Sequence, residues 1–214
     1  MTRIALIHAL SHSVPPINAV FESQWPRAVR MNLLDDSLSA DLARSGALDE
    51  DMHQRFSALS TYALSTGADG ILFTCSAFGP CIERVAAAHP EIPIFKPNES
   101  MIGELQMGSG RLGLIATFEP TLRSMPNEFG DGVDLACALA VGALAALERG
   151  DTHEHDRLIA AQAVRLRDDG CTRLALAQFS MARARAACHE ATGLEVSITV
   201  ESAIRAIRRR LGSE

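Results

Sequence analysis

Cys75 is the residue of this chain best placed to do chemistry. It follows a short apolar run, Ile71 to Thr74, and precedes Ser76 and Ala77, where a helix is expected to open. A thiol at a helix N-terminus has its thiolate stabilised by free backbone N–H groups and the helix dipole, which lowers its pKa. Such a thiol serves as a base or a nucleophile. Packing is the competing use, since free cysteine is among the most buried residue types. Cys81, Cys137, Cys171 and Cys188 fall in apolar or mid-helix stretches or at the far end of a strand, and read as structural. Cys75 is therefore expected to be the thiol that reacts fastest.

The surroundings of Cys75 occur twice. Residues 67–79 can be laid over residues 170–182 at an offset of 103, each a glycine, an apolar run and a small polar cluster. Asn98–Ile102 matches Val200–Ile204 at an offset of 102, and Arg3–Ile7 matches Arg111–Ile115 at an offset of 108. Two similar lobes imply a cleft between them. To that cleft the first lobe offers Cys75, and the second offers Gln178. Glutamine titrates at no useful pH and can only donate and accept hydrogen bonds.

In open parallel sheets, ligands bind beyond the carboxyl ends of the strands. The strand-end loops here bring Ser11 and Ser13, Ser76 and the Ala77 amide, Thr117 and Thr121, and Ser180. Neutral hydroxyls and backbone N–H groups of this kind hold a carboxylate without an arginine. Singly, each hydroxyl could equally be a helix cap. His12 lies on a proposed cleft loop and could act as an acid or base. His153 to Asp156 invites a metal reading, but a His-x-His pair on a helix points its rings about 200° apart. That segment reads as the solvated first turn of a helix. No dinucleotide fingerprint, P-loop, zinc-spaced cysteine set or nucleophile elbow occurs, so neither a metal nor a cofactor is expected.

The elements that must position these residues alternate between strand and helix along the chain. Ile4–Ala9, Val29–Leu34, Ile71–Thr74, Ile92–Phe95, Leu112–Ala116, Leu174–Ala177 and Val196–Val200 read as strands. Ile17–Trp25, Asp49–Ser65, Pro80–Ala88, Glu99–Gly108, Glu119–Met125, Asp151–Asp169, Ala182–Thr192 and Ser202–Leu211 read as helices. The acidic, Ser-rich stretch up to Gly46 reads as a loop, and Leu135–Leu147 as a buried Ala-rich helix. The pattern predicts an α/β fold of two pseudo-symmetric lobes, each a parallel sheet flanked by helices, with the active-site cleft between them. Residues 1–100 with 201–214 form the expected first lobe, and 101–200 the second.

Composition narrows the partners. A net charge of −6, with 47% hydrophobic and 21% charged residues, is ordinary for a globular protein and gives no reason to expect nucleic acid. The basic run Arg205–Arg210 reads as a helix face. The longest low-polarity run, Leu135–Leu147, has 13 residues, short of the roughly 20 that span a membrane. An odd number of irregularly spaced cysteines, five, predicts free thiols and a cytoplasmic location. A homodimer would be ordinary at this size.

Residues 68–76, Ala-Asp-Gly-Ile-Leu-Phe-Thr-Cys-Ser, and 111–117, Arg-Leu-Gly-Leu-Ile-Ala-Thr, resemble the aspartate/glutamate/hydantoin racemase superfamily. Maleate isomerase and arylmalonate decarboxylase belong to the same superfamily. The resemblance covers nearly the whole chain and implies two α/β lobes around a cofactor-independent cleft for small carboxylates. It also implies a cysteine on each lobe in the two-base racemases, and here the second position is Gln178. Three functions are compatible with that departure. The first is a racemase or isomerase of a small carboxylate (amino acid, hydantoin or dicarboxylate), working through a Cys75 thiolate. The second is a single-cysteine decarboxylase or lyase, although the superfamily's decarboxylase keeps its thiol on the other lobe. The third is a carboxylate-binding protein without catalysis.

Overall fold

The computed structural model describes residues 1–212. Its first half contains β1 (Arg3–His8), α1 (Val14–Gln24), β2 (Val29–Leu34), α2 (Ser37–Ser45), α3 (Glu50–Ser65), β3 (Gly70–Phe73), α4 (Gly79–Ala88), β4 (Ile94–Phe95) and α5 (Glu99–Gln106). The second half contains β5 (Leu112–Ala116), α6 (Glu119–Ser124), β6 (Leu135–Leu139), α7 (Ala143–Glu148), α8 (Thr152–Asp168), β7 (Arg173–Leu176), α9 (Arg185–Thr192), β8 (Val196–Ile198) and α10 (Thr199–Arg210). The strands form two parallel four-stranded sheets of matching order, β2-β1-β3-β4 and β6-β5-β7-β8. The sequence repeat is thus a repeat of topology. Arg3 of β1 pairs with the start of β2, and Leu112 of β5 with the start of β6.

Uniformly apolar strands arise because helices cover both faces of each sheet. Side chains alternate sides along a strand, so one strand feeds two cores. Ile4 and Leu6 pack with α1 and α10, while Ala5 and Ile7 face Phe56 and Val85 on the other side. In the second sheet Leu112, Leu114 and Ala116 meet Met101, Ile102 and Leu105 of α5, whereas Ile115 meets Ile159 and Leu166 of α8. The last helix, α10, buries Val200, Ala203, Ile204 and Ile207 against Ile4, Leu6 and Phe21. That helical stripe returns the C-terminal segment to the first sheet. Residues 213 and 214 of the segment 201–214 lie outside the described residues.

Two elements differ from the sequence expectation. The stretch read as a loop up to Gly46 contains α2, which ends at a left-handed glycine, φ 72° at Gly46. Leu38 and Leu42 are spaced i, i+4 and both are buried, and Arg55 of α3 ties the helix down through Asp35 and Asp41. Its polar composition obscured an apolar stripe only two residues long. Leu135–Leu147 is not one buried helix. Leu135–Leu139 pairs residue by residue with β5, a turn through Gly142 at φ 82° follows, and α7 begins at Ala143. Alanine's helix preference was overridden by sheet pairing. As an edge strand, β6 leaves Cys137 exposed rather than packed.

Helix α8 starts at an Asp151 cap, whose carboxylate accepts from the Glu154 N–H at 3.0 Å. The first turn of α8 is not wholly solvated, because His155 is fully buried, with Nδ1 2.7 Å from Asp156. Helix α9 begins later than expected, after a 3-10 turn over Phe179–Ala184. Among the described residues, no helix is long and apolar enough to cross a membrane.

Candidate active site

The two lobes face each other with equivalent strand ends. Cys75 follows β3 and Gln178 follows β7, each with extended backbone (φ −118°, ψ 120° and φ −134°, ψ 147°) and each preceding a 3-10 turn. Between them lies a cavity of about 20 Å³. From the first lobe it is lined by Leu10, Ser13, Ser39, Thr74 and Cys75, and from the second by Phe118, Leu144, Gln178 and Ser180. Aromatic residues lock the facing loops together. Phe179 is fully buried in the first-lobe core with Ile17 and Phe21, and Phe118 packs on the core that contains Phe56 and Phe78. A cavity this size holds about one water.

Cys75 is not a low-pKa thiol in this structure. Burial pushes it up to about 11, against the opposing pull of the Ala77 N–H and the Ser39 hydroxyl. The expected dipole effect loses for two reasons. The turn that Cys75 opens is a three-residue 3-10 segment, Ser76–Phe78, which offers few aligned amides. No lysine, arginine or histidine lines the cavity to favour the anion. The thiol is neutral at physiological pH, and Cys137 is the exposed cysteine among the five.

Gln178 is fixed as a donor. Its Oε1 accepts from the Thr117 N–H at 2.7 Å and the Thr117 hydroxyl at 3.1 Å. With the oxygen occupied, the NH₂ group is what Gln178 has left to offer another partner. Ser180 adds a hydroxyl that is buried and has no hydrogen-bond partner among the described residues. Buried polar atoms are nearly always satisfied, so this hydroxyl has hydrogen-bonding capacity to spare beside the cavity.

The remaining residues singled out from sequence sit around this centre. Ser11 is exposed, and Ser13 lines the cavity in its place. Ser76 donates a 3.4 Å bond to the Thr121 hydroxyl across the lobes. Ala77 gives its N–H to Cys75, and Thr117 holds Gln178. His12 does not line the cavity, although it lies close enough to His155 to disfavour its protonation. Three contributors were missed from sequence. Ser39 was hidden in a helix read as a loop, Leu144 comes from α7, and His8 is fully buried beneath Thr74. A histidine closing an otherwise apolar strand was the available signal for His8.

Two parallel α/β lobes clasping a cysteine-bearing cavity at their strand ends define a racemase-type fold. The Asp/Glu/Hydantoin racemase family matches residues 12–207, and the chain belongs to that family. Among solved structures, glutamate racemase from Francisella tularensis with bound D-glutamate superposes at TM-score 0.77 and 12% identity, over 99% of this chain and 81% of that one. Allantoin racemase from Klebsiella pneumoniae gives 0.71 and 16%, over 99% and 88%. A variant of arylmalonate decarboxylase in a sulfate-associated form gives 0.65 and 13%, over 98% and 93%. At these identities the likeness is one of fold. No sequence among curated proteins matches the chain.

Proposed function

We propose that the protein is a cofactor-independent isomerase acting at the carbon beside a small carboxylate, with Cys75 as the group that moves the proton on one face. The observation that carries this reading is the pairing of Cys75 with the Gln178 amide and the unpartnered Ser180 hydroxyl around one cavity. Removing a proton next to a carboxylate places negative charge on its oxygens. Fixed neutral donors aimed at that charge are the usual way to stabilise it. Leu10, Phe118 and Leu144 give the cavity apolar walls, and a low-dielectric surround strengthens those bonds. Only one face carries a titratable group, so proton transfer is stereospecific.

The neutral state of Cys75 favours a second reading, a single-cysteine lyase of the same family. A thiol with a pKa near 11 rests as an acid, ready to protonate the carbanion left by decarboxylation. One experiment tests both. Amino acids, hydantoins, dicarboxylates and malonates are incubated with the protein in D₂O, with Cys75→Ser as control. Deuterium uptake without loss of carbon supports the isomerase, and CO₂ release with single-handed deuteration supports the lyase. Neither event with any compound, or equal rates for Cys75→Ser, would remove both readings. The pH profile separates them again. If the thiolate is the base, kcat/KM rises towards pH 11; if the thiol is the acid, it falls there.

A further inference from the structure

Among the described residues the two sheets end in the edge strands β2, β4, β6 and β8. An unpaired edge is a template for another chain, and proteins guard it by keeping it short or by placing charges on it. Strands β4 and β8 are two and three residues long. Strand β2 carries Arg30 and Asn32, whose side chains both bond to Asn18 of α1. Strand β6 has no such guard. Leu135–Leu139 is five residues long, with no charged residue and no proline, and pairs with β5 without a bulge. Cys137 at its centre is exposed, as is Val141 just beyond it.

The register with β5 decides which backbone groups of β6 are left over. The Leu112 N–H bonds to the Asp134 carbonyl and the Ala140 N–H to the Ala116 carbonyl. Residues 134, 136, 138 and 140 therefore turn their backbone groups towards β5, and Leu135, Cys137 and Leu139 turn theirs outward. The Leu139 carbonyl also accepts from the Val141 N–H at 3.0 Å and keeps a second lone pair. We propose that a second copy of this chain pairs antiparallel with this edge, about a two-fold axis at Cys137, joining the second sheets of two protomers into one. Of the two-fold registers, this one alone overlaps the whole strand. Cys137 meets the partner's Cys137 and Leu135 meets the partner's Leu139, so outward backbone groups face each other along β6. The side chains agree with that axis. Residues 132–142, Gly-Val-Asp-Leu-Ala-Cys-Ala-Leu-Ala-Val-Gly, read almost the same in reverse, so like opposes like except where Asp134 meets the partner's Ala140. This is the self-complementarity that a two-fold contact demands. The charges agree too. The two Asp134 carboxylates stand roughly 20 Å apart at about 3.4 Å per strand residue, outside the ~8 Å screening length of physiological salt.

Analytical ultracentrifugation of the unaltered protein from about 1 to 200 µM should show a monomer–dimer equilibrium. A short bismaleimide should link Cys137 to the partner's Cys137, because opposed residues of a hydrogen-bonded antiparallel pair have Cα atoms about 5.5 Å apart. Peptide mass spectrometry identifies the link. Cys137→Lys leaves every bond to β5 in place but sets two ammonium groups against each other, and should weaken association by about tenfold or more. Cys137→Glu should do the same with two carboxylates. Mixing the two variants should restore the dimer as a mixed pair, which requires the axis to pass at this residue. A monomer at every concentration, a dimer that Cys137→Lys leaves undiminished, or weakened variants that do not recover on mixing would overturn the proposal. Circular dichroism checks that both variants fold. Should either not, the unaltered protein decides: a dimer whose Cys137 residues do not link to each other overturns the proposal as well.

Discussion

The two lobes share a topology but differ in what lies beneath their strand ends. In the first lobe, His8 and Thr74 occupy the positions that Ala116 and Ala177 fill in the second, by the offsets of 108 and 103 that relate the halves. The first lobe places a hydrogen-bonded histidine and threonine under a thiol that can exchange a proton. The second places small apolar residues under an amide whose oxygen is fixed by Thr117. A near-symmetric scaffold thus carries an asymmetric site, one half holding a thiol and the other an amide whose oxygen is bonded to Thr117. Family membership alone, with its expectation of two like halves, does not convey this division.

Substitutions of the two facing residues should break the comparison most visibly. Cys75→Ser should lower turnover by roughly 10²–10⁴-fold, the range for a positioned proton-transfer group. Gln178→Ala should lower kcat by roughly 10²-fold through loss of one fixed donor, with the handedness of deuteration unchanged. Steady-state kinetics with NMR analysis of the product distinguishes them. A larger loss at Gln178 than at Cys75 would reverse the assigned roles.

The next effect lies on the first lobe only and is one of stability. His8 is neutral in the fold down to about pH 4, while in the unfolded chain it protonates near 6.5. Between those values the unfolded state binds more protons, so stability falls as the pH falls, by roughly 3 kcal/mol in total. Urea unfolding at pH 7 and at pH 4.5 should show a smaller acid loss in His8→Leu than in the unaltered protein. His155, also lowered by burial, contributes equally to both. Parallel pH dependences would show that His8 is not the group titrating.

The smallest effect is on the second lobe. Thr117→Val removes the 3.1 Å hydroxyl bond to Gln178 but leaves the 2.7 Å backbone bond in place. The expected loss in carboxylate affinity is about 0.5–1.5 kcal/mol, one neutral hydrogen bond. Calorimetry showing no loss would mean that the backbone alone orients Gln178.

The sequence carried the architecture well because strands such as β1 and β5 are apolar throughout and the repeat fixed which must correspond. The facing of Cys75 and Gln178 followed from that repeat. Composition misled where it outweighed pattern. Ser-rich polarity concealed α2 and with it Ser39, and alanine content concealed β6. The state of Cys75 could not be read at all, because it depends on how tightly two lobes far apart in sequence enclose it. The same holds for Thr74, whose hydroxyl meets a buried histidine 66 positions away.

The division of labour between the lobes is tested most directly by stereochemistry. The two enantiomers of a turned-over substrate are incubated separately in D₂O, and α-proton exchange is followed by NMR for the unaltered protein and for Gln178→Cys. With Cys75 as the one proton-transfer group, the unaltered protein exchanges only one enantiomer, with retention, and Gln178→Cys gains exchange of the other. Exchange of both enantiomers at comparable rates by the unaltered protein would contradict this, since it requires a base on the second face that Gln178 cannot supply.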